Sequence, residues 1–468
     1  MQIRQRPQRQ RPAQRKRHDN RFAAGVLQRY EHVLGPVAAR LHGGALGLAA
    51  AVANWGSGEP VRDEGRSLKI TFLIINAYGM GGTIRTVLNL AGYLADGHDV
   101  DVISIVRRRT DPFFPFPPGI TVRTLDDQRK DDGAAVRLLR NIPSILVHPQ
   151  DFSYKGSSLW RDLLLVRALR SLRQGVLITT RPGLNLLAAE LGRPDVVRVG
   201  QEHLNFGAYK PRLAADIVRR YPKLDALAVL SEDDRRTYEG AFRPGRPRVV
   251  FIPNAIPKLG DGLADPANRV VVAAGRLMPQ KGFDRLIPAF AQVVQHHPDW
   301  KLRIFGSGPK RNELQKLITD HGVAASVALM GRASDLGSEF AKGSIFALSS
   351  RFEGMPMVLL EAMSKRLPVV SFDCPTGPRQ LVTSGHNGLL VPNGDIDEFA
   401  AALRELIEDG EKRARMGAAA AETASRHALE VVGQQWVELL HELDDARAVG
   451  KRVRGDHQRP DKVTVDRV

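Results

Sequence analysis

Cysteine is almost missing from this sequence. A single one, Cys374, stands among 468 residues, so no disulfide can form within the chain and a reducing, cytoplasmic setting fits. Also missing is any run close to the ~18 consecutive apolar residues of a membrane span. The best candidate, ALGLAAAVANW (45–55), has eleven. No acidic triplet and no His/Cys cluster stands at metal-ligand spacing, which argues against a required metal. Nucleic-acid motifs are lacking too, as are basic patches interleaved with aromatics, and this speaks against nucleic acid as a partner.

What is present has ordinary globular proportions, 43% hydrophobic and 25% charged, so a full core is available. The formal charge of +17 is unevenly spread. Residues 1–21 hold eight Arg/Lys and one Asp, a Gln/Arg/Pro-rich stretch read as a disordered basic tail. It has no apolar core of its own and so does not read as a secretory signal. Residues 22–67 follow as a helical extension, where FAAGVLQRYEHVLGPVAARL (22–41) has rough helical periodicity. A basic tail beside an amphipathic helix can lie on an anionic membrane face, or pack on the main domain.

From residue 68 strands and helices alternate. LKITFLIINA (68–77) is a near-continuous apolar run, as expected of a strand covered on both faces. NAYGMGG (76–82) is a glycine-rich turn and TIRTVLNLAGYLA (83–95) an amphipathic helix. Further strands read at 99–106, 176–180, 196–202, 226–231 and 248–253, and residues 107–160 read as an irregular insertion. A second series begins at RVVVAAG (269–275) and recurs at 301–306, 326–331, 345–350, 368–373 and 388–392. The expected fold is α/β, with two Rossmann-like parallel-sheet domains facing a central cleft. The first covers 68–254, a linker 255–268, and the second 269–426. An apolar stripe through Val431, Val432, Trp436, Leu439, Leu440 and Leu443 marks a helix over 427–446, followed by a charged tail (447–468).

The chemistry-bearing residues fall at carboxyl ends of the expected strands, where such sheets bind ligands. GMGG (79–82) can bring backbone close to a phosphate at a helix start, a weak signal by itself. Arg276 and Lys281, in AAGRLMPQKGFDRL (273–286), put two cations beside a helix N-terminus and suit a diphosphate. FGSGP (305–309) is another glycine turn. RFEGMPMVLLEA (351–362) sets Glu353 in a loop and Glu361 within a helix that Pro356 opens as its first residue.

Together these residues resemble the family 4, or group 1, glycosyltransferases of two-domain GT-B architecture, over roughly 69–440. The carriers are GMGG (79–82), GRLMPQKG (275–282), FGSGP (305–309) and EGMPMVLLE (353–361). The look is that of bacterial members acting on cell-envelope polymers or lipids. The resemblance implies a retaining hexosyl transfer from a nucleotide-diphosphate sugar, UDP-linked by family precedent, to a hydroxyl of a glycan, polyol-phosphate polymer or lipid. It implies catalytic roles for Glu353, Arg276, Lys281 and His203. Glu353 would meet the transferred sugar and Glu361 the ribose hydroxyls, while Arg276 and Lys281 hold the diphosphate. Gly81, Gly82, Gly306, Gly308, Gly354, Met355 and Pro356 would shape the donor site, with Arg332 in GRASD (331–335) near the base. His203, with Glu202 and Asn205, would face the cleft. Asp373, Thr376 and Gly377 would line the sugar pocket or form a turn. The sugar nucleotide is a co-substrate, so no cofactor and no metal is expected. Peripheral contact with the inner face of the cytoplasmic membrane is compatible with the basic tail.

Two other classes compete. A polyanion-binding protein would use the arginine tail as its surface, and deleting that tail would abolish its binding. A GT-B sugar-nucleotide epimerase or phosphorylase would share the fold, and would turn over its substrate without an acceptor.

Overall fold

A computed structural model describes residues 67–257, 259–375 and 377–456. The basic tail, nearly all of the 22–67 extension, Thr376 and the last residues of the charged tail lie outside the described residues. The first domain is built on seven parallel strands: β1 (Lys69–Ile74), β2 (Asp99–Arg107), β3 (Ile120–Asp127), β4 (Val176–Thr179), β5 (Val197–Gln201), β6 (Ala226–Val229) and β7 (Arg248–Phe251). They lie in the order β3-β2-β1-β4-β5-β6-β7. Helices cover both faces, so β1 is buried from Ile70 to Ile74 and reads as an apolar run interrupted only by Thr71.

The second domain repeats the design with six parallel strands: β8 (Val270–Ala274), β9 (Lys301–Phe305), β10 (Val327–Gly331), β11 (Ile345–Leu348), β12 (Val369–Phe372) and β13 (Gly388–Val391). Their order is β10-β9-β8-β11-β12-β13. Each sheet thus reverses its direction of winding once, between β1 and β4 in the first and between β8 and β11 in the second. Crevices at such reversals, outside the carboxyl ends of the strands, are where open α/β sheets bind ligands.

Four sequence expectations need correction. Residues 107–160 are not an irregular insertion, because β3 pairs in parallel with β2 from Ile120 to Asp127 and a helix follows at Ala134–Asn141. β3 is an edge strand with one exposed face, so its polar sequence ITVRTLDD lacks the apolar signature of the buried strands. Pro356 precedes the helix Met357–Met363 as its N-cap instead of opening it. The C-terminal helix runs from Leu429 to Asp456, well into the segment read as a tail. Val431 lies outside its buried stripe, at 45% exposure.

That helix packs against the first domain, where Val432, Trp436, Leu439 and Leu440 join Phe72, Val87 and Leu94 in one core. The chain therefore crosses between domains twice, once near residue 256 and once near 428. The two crossings lie side by side, with Ile256 N–H donating to the His427 carbonyl at 2.8 Å and a parallel bridge between Ile256 and Ala428.

Candidate active site

β8 ends at Ala274, and Gly275 and Arg276 turn out of the sheet. A short 3-10 turn at Pro279–Lys281 then leads through Gly282 into the helix Phe283–Val294. Gly282 has φ +64°, and a Cβ there would strike the Ser349 carbonyl oxygen, so the turn needs glycine. The Lys281 side chain runs back across Gly275 and reaches the loop after β11. There its Nζ lies 2.6 Å from Glu353 Oε1, and Ser350 Oγ donates to the same oxygen at 2.6 Å. Glu353 N–H donates to the Pro375 carbonyl at 2.8 Å, tying this loop to the end of β12. Lys281 and Glu353 thus meet at the reversal of the second sheet.

Arg276 is exposed on the cleft wall and has no acidic partner among the described residues. Across a cavity of about 520 Å³ stand Gly81, Gly82 and Arg85 of the first domain, with Gly306, Arg332, Met355, Pro356 and Glu361 also lining it. Gly306 has φ +140° and sits so close to the Gly275 carbonyl that no side chain fits. Gly308 packs under the Leu277 carbonyl and does not line this cavity.

Glu361 lies in the helix Met357–Met363 with 3% exposure. Burial pushes its carboxyl pKa up, and the Arg85 guanidinium pulls it back. Arg85 Nη1 donates to Glu361 Oε1 at 2.7 Å, an ion pair across the cleft. Arg332 Nε donates to Ser307 Oγ at 2.7 Å, and its guanidinium sits 5.6 Å from the Phe113 ring centre. Phe113 and its edge-to-face neighbour Phe114 come from the loop after β2, which the Phe113 N–H fastens to the Tyr78 carbonyl at 3.2 Å.

His203 follows β5 beside, not in, this cavity. It shares a small crevice with Gly354 and Met355, and its carbonyl oxygen faces Gly354. Desolvation, aided by the charge of Arg181, lowers its pKa to about 3, so the imidazole is neutral near pH 7. Its Nε2 is buried without a partner. Neighbouring Glu202 accepts from Asn185, Tyr209 and Tyr221, and burial raises its pKa to about 7. Gly377 abuts the Gly354 carbonyl, and Asp373 pairs with Arg379. No group of three or more His, Cys, Asp or Glu able to hold a metal ion occurs among the described residues.

Sequence reading did not find Arg85, Phe113 or Phe114. Arg85 carried one signal, its position one turn into the helix that starts at the GMGG turn. The aromatic pair carried none, because its cleft contacts come from the fold.

Residues 260–423 match the family model described as Glycosyl transferases group 1. The chain carries a Glycosyl transferases group 1 domain. An exopolysaccharide phosphotransferase of Streptomyces coelicolor is 36% identical over 405 residues, covering 82% of this chain and 42% of the relative. The chain therefore spans less than half the length of that protein. An uncharacterized glycosyltransferase of Haemophilus influenzae is 27% identical over 80% of this chain and 99% of its own. Among solved structures, S. aureus TarM with bound UDP superposes with a TM-score of 0.63 at 16% identity, covering 80% of this chain and 99% of TarM. At that identity the likeness speaks for the GT-B fold alone.

Proposed function

We propose that this glycosyltransferase is a retaining, family 4 enzyme that moves a sugar from a nucleotide-diphosphate sugar, UDP-linked, to a hydroxyl of a cell-envelope polymer, glycan or lipid. The observation that carries the reading is the convergence of Arg276, Lys281, Glu353 and Glu361 on one cleft at a sheet reversal. Arg276, with no carboxylate partner among the described residues, and Lys281 take the diphosphate, and Glu361 accepts from the ribose hydroxyls. Glu353, held at one oxygen by Lys281 and Ser350, presents the other to the sugar.

The sugar C1–O bond to the diphosphate breaks while the acceptor oxygen bonds to C1 on the same face. The acceptor's proton passes to the departing phosphate oxygen, so no protein nucleophile is needed. The two cations stabilise negative charge as it grows on the leaving group, the contribution that preorganised charges make best. They take the role a divalent ion would have, and transfer is expected to persist in EDTA. His203, neutral and with an open Nε2, is suited to a hydrogen bond with the sugar or acceptor. The arginine-rich residues 4–18 add a peripheral contact with the anionic inner membrane face.

The test is thermal stabilisation by a panel of nucleoside diphosphates and sugar nucleotides, followed by mass analysis of products with candidate acceptors. A midpoint rise with one nucleotide, lost in Glu361→Ala, supports the donor site and identifies the base. No rise with any nucleotide sinks it. The name of the 36% identical relative, an exopolysaccharide phosphotransferase, raises a second reaction, phosphotransfer. A product that keeps the phosphate would select that reaction instead.

A further inference from the structure

The first sheet has a reversal of its own, between β1 and β4, and a cavity of about 290 Å³ opens there. Asn76 leaves β1 into it, Arg108 leaves β2, Arg181 leaves β4, and Phe152 and Ser153 form one side. Three arginines line this cavity and no carboxylate does. Their charges are not equally compensated. Arg161 pairs with buried Asp126 behind it, Nε to Oδ2 at 2.9 Å. Arg108 donates to the neutral amide oxygen of Gln128 at 2.8 Å. Arg181 stacks over Phe152, 5.7 Å from the ring centre, and has no acidic partner among the described residues.

The nearby Asp151 is already committed, accepting from Gly183 N–H and Ser153 N–H, both at 2.8 Å. Among the described residues, two guanidinium groups with no carboxylate bound to them therefore face a concave space, and Arg fits phosphate oxygens bidentately. The remaining wall is apolar, with Ile75, Val106 and Leu184, and Phe152 stands on the rim at 89% exposure. The chain links this cavity to the donor cleft. Asn76 starts the turn that carries Gly81 and Gly82 into the donor cleft, and Arg181 acts electrostatically on His203, whose carbonyl faces Gly354.

We infer that this cavity is an acceptor subsite for a phosphate ester, with the phosphate gripped by Arg181 and Arg108 and the rest of the acceptor lying over Phe152 toward the donor cleft. The inference rests on the transferase reading above and names its acceptor class. The phosphate is only a handle. An acceptor hydroxyl still makes the new bond to C1, and the phosphate ester leaves unchanged.

The experiment uses the full chain saturated with the nucleoside diphosphate that stabilises it, so that Arg276 and Lys281 are occupied. Titration calorimetry then compares glycerol 1-phosphate, decyl phosphate below its micelle concentration, and uncharged glycerol and decanol. Wild type is set beside Arg181→Ala, Arg181→Lys and Arg108→Ala. Phosphate esters should bind wild type and weaken about tenfold or more in Arg181→Ala, with partial recovery in Arg181→Lys and a smaller loss in Arg108→Ala. Uncharged analogues should bind far more weakly. Tighter binding of decyl phosphate assigns a lipid source, and tighter binding of glycerol 1-phosphate a polyol source. Equal affinity in wild type and Arg181→Ala, or no phosphate binding while the nucleotide still stabilises, overturns the inference and leaves the donor site standing. Absence of nucleotide stabilisation itself removes the transferase reading as well.

Discussion

Replacing Lys281 by Met should damage folding and donor binding separately, and the two losses can be told apart. Lys281 and Glu353 are 16% and 8% exposed at their side chains, so the pair is largely withdrawn from water. Removing one partner of a fully buried pair costs about 3–5 kcal/mol, because the other charge is left stranded. Residual exposure and the surviving Ser350 bond reduce that here to about 2–3 kcal/mol. For domains of this size, ~2–4 °C per kcal/mol converts this to a midpoint drop of about 5–10 °C. Losing a charge-assisted bond to phosphate costs about 1.5–3 kcal/mol, or roughly 10–150-fold in nucleotide affinity. Calorimetric melting and nucleotide titration on Lys281→Met, Glu353→Gln and the double variant give the cycle. The double variant should regain most of the midpoint, since no charge is stranded, and none of the affinity. A Lys281→Met midpoint within a degree of wild type would refute the buried-pair account. Recovered affinity in the double variant would mean that Lys281 acts only through Glu353.

Three further outcomes are expected. Arg85→Ala should lower the midpoint of the free protein yet tighten the nucleoside diphosphate several-fold, since ribose hydroxyls no longer displace Arg85 from Glu361; weaker binding in titration would make Arg85 a ligand contact instead. Glu202, with its pKa raised from 4.5 to about 7, binds its proton more tightly folded than unfolded, so its contribution is full below pH 4.5 and is lost as pH rises through about 7. His203 has the opposite sign below 6.5, so the Glu202 effect is isolated by subtracting Glu202→Gln from wild type in midpoints at pH 5 to 8.5; a flat difference curve would exclude it. Gly282→Ala should lose about 1–3 kcal/mol from left-handed strain, with more from the clash at Ser349, and should abolish transfer by moving Lys281. A melting curve and transfer rate matching wild type would contradict that reading.

The double-sheet architecture was readable because its central strands are buried on both faces. VVVAA is apolar throughout, and in KITFLI every residue after Lys69 is buried, with Thr71 the one polar residue among them. β3 escaped because an edge strand with exposed polar positions looks like a loop. At the site, Arg276, Lys281, Glu353 and Glu361 were legible from strand ends and spacing, and all four line one cavity. Arg85 was not, because its partner Glu361 lies 276 residues away and only the facing of two domains joins them. The uncompensated charge of Arg181 was likewise invisible, since an arginine in a sequence does not reveal which acids fail to reach it.

The paired crossings at Ile256 and Ala428 have a mechanical meaning. Two independent tethers at separate points would lock the domains, and one alone would let them swivel freely. Two strands bonded side by side behave like a strip hinge, which bends about one line and resists twist and slide. Because the second strand ends with Trp436 embedded in the first domain's core, that strip is anchored firmly on its N-terminal side. The cleft can then widen and close along one arc. Without a donor, each closure returns Arg85 to Glu361.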